Sequence, residues 1–146
     1  MKKRIIPVIL IVLCAAFVLS ACTMIKAPET LKAEFEDKGY IVRLYGKSDT
    51  GEFKSMANLF KLDSTEGVSN ILIADAGTTV DDAQPLIIFF CDNKETTDRV
   101  FSAAKSALNE IADFTNIKAE KCNLIKADNA VLVGAAEMIE LAKDSF

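Results

Sequence analysis

The apolar pattern of the chain predicts a two-layer α+β domain: a mainly antiparallel five-stranded sheet with helices on one face and a ferredoxin-like core. Two observations carry this expectation. Four segments repeat apolar residues at helical spacing and five short stretches read as strands, in the order helix, strand, helix, strand, strand, helix, strand, strand, helix. The middle of that order is the split strand-helix-strand pattern. Five short strands give four helices room on one face only, unless the strands are mostly parallel. Two of the strand connections look like hairpins, so a meander sheet with helices stays open as the alternative.

Each element has its own signal. Pro28 suits a first helical position, Leu31 and Phe35 follow at helical spacing, and Gly39 can close that helix. Tyr40 to Tyr45 alternates as a half-buried strand, with Tyr40, Val42 and Leu44 on one face and Ile41, Arg43 and Tyr45 on the other. Asp49 and Glu52 have capping-box spacing for a helix opening at Thr50 or Gly51, and Phe53, Met56, Ala57 and Phe60 make its apolar stripe. Asn70 to Ala74 reads as a strand. Leu86 to Cys91 is an unbroken apolar run, as expected of a central strand buried on both faces.

Asp92 or Asn93 should cap the longest helix, whose buried face is Val100, Ala104, Ala107, Leu108, Ile111 and Phe114. Glu95 stands at capping-box spacing from Asp92. After Asn116 the chain extends again from Ile117 to Lys126. It reverses at Ala127-Asp128-Asn129 into a strand from Ala130 to Val133, which Gly134 breaks before a final helix with Ala135, Met138, Ile139 and Ala142 on its apolar face.

The amino terminus reads differently. Lys2, Lys3 and Arg4 precede an apolar run from Ile5 to Val18, and small residues close it before Cys22. A basic head, a run of about 15 residues and a small-residue ending define a secretory signal, and a membrane span would need about 20. The ending Leu19-Ser20-Ala21-Cys22 resembles the lipobox of bacterial lipoproteins. The resemblance implies cleavage after Ala21, diacylglycerol on the Cys22 sulfur and usually acylation of the new amino terminus. The expected organisation is therefore a signal peptide at 1–21, a lipidated Cys22 with a short tether at 22–27, and a single globular domain at 28–146. The protein would sit on the extracytoplasmic face of the cell membrane. Thr23 is not the Asp that retains lipoproteins at an inner membrane, so an outer-membrane destination is implied if the host has one.

The mature part also resembles a loose group of small single-domain lipoproteins of unknown function, many from Gram-positive gut bacteria. The matching features are a helix ending Lys38-Gly39-Tyr40 before a strand, the strand Ile87 to Cys91 running through Asp92 into a long helix, and a closing hairpin before a terminal helix. These are structural punctuation, and the resemblance carries no catalytic residue.

Removing the three cations of the signal leaves 14 basic against 21 acidic residues, a net charge of −7 over 125 residues. An acidic domain of that size holds one core and is poorly suited to nucleic acid, or to an electrostatic grip on anionic lipid. The chain has no His, which excludes Ser-His and Cys-His nucleophile systems and His-ligated zinc. It contains neither G-x-x-x-x-G-K nor G-x-G-x-x-G. Asp81 and Asp82, in the loop from Gly77 to Gln84, offer hard oxygen ligands but lack the alternating spacing and terminal Glu of an EF-hand. No cofactor, metal or catalytic residue is expected.

The function these residues suggest is a non-enzymatic module that binds a protein, peptide or glycan. An accessory subunit of an envelope complex is the alternative, and a His-free enzyme a minor one. Arg43 and Tyr45, side by side on one strand face, are the surface patch singled out for a partner. Cys91 and Cys122 are the only mature cysteines besides Cys22. In a ferredoxin-like order another strand separates theirs, placing the Cα atoms about 9.5 Å apart, beyond disulfide reach. Two reduced, buried thiols are expected.

Overall fold

The computed structural model describes residues 24–75, 85–115 and 117–144. Helix α1 (Pro28–Asp37) starts with a proline whose missing N–H would have had no helical partner, and it buries Leu31 and Phe35. It ends in a Schellman motif. Gly39 N–H donates to Glu36 O at 2.9 Å and Tyr40 N–H to Phe35 O at 3.0 Å, and the Tyr40 ring stands edge-on to Phe35 with centroids 5.6 Å apart.

Strand β1 (Ile41–Gly46) leads into α2 (Thr50–Leu59). The expected Asp49 cap does not form, because the Asp49 carboxylate turns back and accepts the Gly46 N–H at 2.8 Å, closing the turn instead of the helix. The Phe53, Ala57 and Phe60 stripe is buried and Met56 half-buried, as the spacing required. Strands β2 (Val68–Asp75) and β3 (Leu86–Cys91) follow, and every residue of β3 is buried.

Helix α3 (Lys94–Ser106) is capped by Asn93, whose side-chain oxygen accepts the Thr96 N–H at 2.8 Å; Asp92 takes no part in the cap. The expected single long helix is broken at Ala107, and α4 (Leu108–Phe114) continues separately. Hydrogen bonds from Ala107 N–H to Ala103 O and from Ile111 N–H to Ala107 O carry the phase across the break, so Ile111 is buried; at the end of α4 Thr115 takes the inward position, and Phe114, expected in the core, is 56% exposed. A 3₁₀ turn (Ala119–Lys121) interrupts the expected extended segment before β4 (Cys122–Lys126). Strand β5 (Ala130–Ala135) continues through Gly134, and α5 (Ala136–Lys143) closes the fold. A side chain at Gly134 would meet the Leu86 Cα and the Pro85 carbonyl at 3.1 Å, so the glycine serves close strand approach and does not end the strand.

The expected α+β class and five-stranded antiparallel sheet are present, with strand order β1-β2-β3-β5-β4. That order departs from the ferredoxin-like core at its first half. There, β1 and β2 would run parallel with a strand between them. Here they are antiparallel neighbours, Ile41 opposite Asp75 and Gly46 opposite Asn70. After α2 the segment 60–67 brings the chain back to the end of the sheet where β1 finished, so β2 runs antiparallel to β1, and the two pair directly. The second half keeps the split unit. Strands β3 and β4 are both antiparallel to β5, and are therefore parallel to each other across it, joined by α3 and α4.

Alternation along the central strands puts two cores on opposite faces of the sheet. Ile71, Ile87, Phe89, Val131 and Val133 face α2, α3 and α4, packing with Phe53, Phe60, Val100 and Ile111. Leu72, Ile88, Phe90 and Leu132 face the other way, packing with Leu31 and Phe35 of α1 and Met138 and Ile139 of α5. The expected cover of one face is thus extended to both. Neither α1 nor α5 could bury its apolar stripe against the face that α2, α3 and α4 already fill.

Candidate functional site

Arg43 and Tyr45 do project from one face of β1, opposite Ile73 and Ile71 of β2. Their surroundings differ. Tyr45 is half-buried against the core that α2 covers, whereas Arg43 is exposed beside Ile41, itself 59% exposed, on a strand paired on one side only. The open part of this patch is therefore Ile41 and Arg43, and Tyr45 has a packing role that its sequence context did not reveal. Cys22, Asp81 and Asp82 lie outside the described residues.

A denser arrangement occupies the end of the sheet where β1 and β3 finish and β2 and β5 begin. The Asp92 N–H donates to Gly67 O at 2.8 Å, and the Cys91 N–H to Asn129 O at 2.8 Å. The Thr97 hydroxyl lies 3.1 Å from the carbonyls of both Asn93 and Asp128, so its one hydrogen serves either. Lys47 approaches Asp92 at 3.9 Å, too long and too exposed to contribute much stability. These bonds join the turns that follow β1, β3 and β4 to the loop that precedes β2.

The tether is held at the same end. The Ile25 N–H donates to the Asn129 side-chain oxygen at 2.9 Å, and the Asn129 side-chain nitrogen donates to Ile25 O at 3.1 Å. Ile25 itself is 4% exposed and part of the core beneath α1. The sequence pointed to Asn129 only as a turn residue and to Ile25 only as linker. An asparagine amide is the one short neutral side chain that can answer both groups of a backbone peptide unit.

Cys91 and Cys122 are free and buried, as expected, and β5 lies between their strands. Cys91 N–H bonds to Asn129 and Cys122 is paired with Ala135, so the two also sit about 20 Å apart along β5 at the usual rise per residue. Burial pushes the Cys91 thiol up to about 11; Asp92 adds to the rise, and the Thr97 side chain and Arg99 oppose it. Burial raises Cys122 as well. Because the folded state holds the Cys91 proton where the unfolded chain has lost it, stability should be unaffected well below pH 9 and fall as pH climbs from about 9 to 11. The loss attributable to Cys91 is about 2 to 3 kcal/mol at 1.36 kcal/mol per unit. Urea titrations near pH 8 and pH 11 should show a smaller pH-dependent drop in Cys91→Ala. An equal drop in both proteins would contradict the burial of this thiol.

Two exposed carboxylates are shifted by surface pairing. A hydrogen bond from Lys126 holds the Asp98 carboxyl below its ordinary range, and Lys61 does the same for Glu110. Among the described residues no three Cys, Asp or Glu side chains gather in a geometry that could hold a metal ion. Every buried side-chain nitrogen or oxygen among them has a hydrogen-bond partner. No described helix is long and apolar enough to cross a membrane. Comparison with protein-family models, with curated protein sequences and with solved structures gives no match.

Proposed function

We propose that this chain is a lipid-anchored extracytoplasmic domain that works by binding a partner through its surface, without catalysis. The observation that carries the reading is the run from Met1 to Cys22, where a basic head, a short apolar stretch and Leu19-Ser20-Ala21-Cys22 occur in the order a lipoprotein signal requires. The His-free sequence supports the non-catalytic part, since it removes the commonest general base and the commonest metal ligand. The short reach from Cys22 to the core residue Ile25 favours, as a second reading, a subunit that works beside partners in the membrane.

The anchor is tested by fractionation. Wild-type protein should carry the mass of an acylated Cys22, sediment with membranes and resist high-salt washing, because two or three acyl chains exceed the marginal hold of one. Cys22→Ser should leave the membrane fraction after salt washing, or remain as uncleaved precursor. Membrane-bound Cys22→Ser of mature mass would sink the reading. For the binding role, envelope extracts captured on the wild-type domain are compared with Arg43→Ala. Arg43 is exposed, so the substitution should leave the fold intact. Equal recovery would remove this patch from consideration.

A further inference from the structure

We propose that the sheet end built around Asn129 faces the bilayer, and that the Asn129 amide is the clasp that sets this orientation. The inference rests on the reading of Cys22 as the acylated residue and adds to it a defined membrane-facing surface.

From Ile25 onward the tether is already part of the fold. The Ile25 side chain is buried in the core, and both of its backbone polar groups are taken by Asn129 at 2.9 and 3.1 Å. The next residues are tied down too, with Lys26 paired to Glu34 at 2.6 Å and Ala27 O accepting the Leu31 N–H at 3.0 Å. Between this fixed point and Cys22 stand only Thr23 and Met24. Three Cα steps span at most about 11 Å. A thioether-linked diacylglycerol holds Cys22 at the level of the lipid headgroups, so Ile25 must lie within that reach of the membrane surface and the Asn129 amide one hydrogen bond beyond it.

The register shows what comes with it. Gly46 lies opposite Asn70, Phe90 opposite Ala130 and Lys126 opposite Val131, so the turns after β1, β3 and β4 share the end that holds Asn129. The opposite end, with Ile41, Leu86 and the start of α5, is about 20 Å farther out along strands of six residues. Met24, 60% exposed, is the large apolar side chain at the near end, while Ile41 lies at the far end. Lys47, Lys94 and Lys126 there stand against Asp49, Glu66, Asp92, Glu95 and Asp128, so this end shares the acidic balance of the whole domain. Such a surface rests at the headgroups and does not insert. The acyl chains hold the protein down and the clasp decides which side is down.

The chain contains no Trp, so one introduced Trp is a unique depth probe. The full lipidated protein, carrying either Ser48→Trp at the near end or Glu137→Trp at the far end, is reconstituted in vesicles of phosphatidylcholine and phosphatidylglycerol with a headgroup-attached quencher. Both sites are exposed. Quenching should be several-fold stronger for Ser48→Trp, and adding Asn129→Ala should shrink that difference while both proteins stay vesicle-bound. Equal quenching at the two sites, or stronger quenching at Glu137→Trp, in acylated and vesicle-bound protein would overturn the orientation alone. A difference that Asn129→Ala leaves unchanged would overturn the clasp. Protein without acyl mass that fails to bind vesicles would overturn the Cys22 reading and this proposal with it.

Discussion

Phe89→Ala should cost about 3 to 5 kcal/mol of folding stability, the upper part of the range for emptying a core position. Phe89 is fully buried in the middle strand, opposite Ile71 on one side and Val131 on the other. Its ring lies 4.4 Å, centroid to centroid, from that of Phe60, which closes α2. Truncation therefore removes transfer free energy, leaves a cavity between α2 and the sheet, and strips Phe60 of its aromatic neighbour. Domains of this size hold about 5 to 15 kcal/mol in total, so the variant should be near the limit of folding. Equilibrium urea unfolding of residues 23–146, which keep Ile25 and its bonds to Asn129, checks it through the midpoint at unchanged slope. Phe89→Leu keeps much of the volume and should lose distinctly less. A loss below about 1 kcal/mol for Phe89→Ala would mean that α2 does not pack on this face.

Gly67→Ala should cost about 2 to 5 kcal/mol, by two separable mechanisms. Gly67 has φ of +77°, where a side chain adds about 1 to 2 kcal/mol of backbone strain. A Cβ there would also fall 2.2 Å from the Thr96 hydroxyl oxygen and 3.1 Å from its Cβ and methyl carbon. Thr96 cannot withdraw easily, since it is buried in the first turn of α3 and its N–H is fixed by the Asn93 cap. Overpacking of this kind adds about 1 to 3 kcal/mol. In a Thr96→Ala background the hydroxyl contact is gone while the strain remains, so Gly67→Ala should cost less there. Strict additivity in the double-mutant cycle would show that the two residues do not meet.

How much of this fold was legible depended on the range of the interaction involved. The apolar run from Leu86 to Cys91 announced a central strand because burial on both faces leaves no room for polar residues. The α1 terminus at Gly39-Tyr40 and the stripe of α2 were equally readable, being set by residues within a turn or two. Strand order was not. Whether β2 returns beside β1 depends on how the segment 60–67 travels, and no periodicity encodes that path. The second buried face was hidden for a related reason: Leu72 and Ile88 alternate with Ile71 and Ile87, and a fully apolar alternation does not say which elements will cover which side. Asp49 misled because a carboxylate can close a turn as readily as a helix, and the choice rests on backbone angles. Of the candidate site, Arg43 was placed correctly at the surface while the packing of Tyr45 was not foreseen. The pairing of Ile25 with Asn129 spans most of the chain, and single residues that far apart leave no local signal.

The position of β5 has a consequence for the time before the fold is complete. A chain emerging from its amino terminus first can assemble β1, β2 and β3, each paired with its sequence neighbour. At that stage Leu86-Ile87-Ile88-Phe89-Phe90-Cys91 is an uncovered sheet edge, uncharged and free of proline, waiting for a strand that lies near the carboxyl end. Such an edge is a template for pairing with another chain. The most hazardous surface of the protein is thus the one sealed last, so truncation before Ala130 endangers neighbouring chains as well as the shortened one.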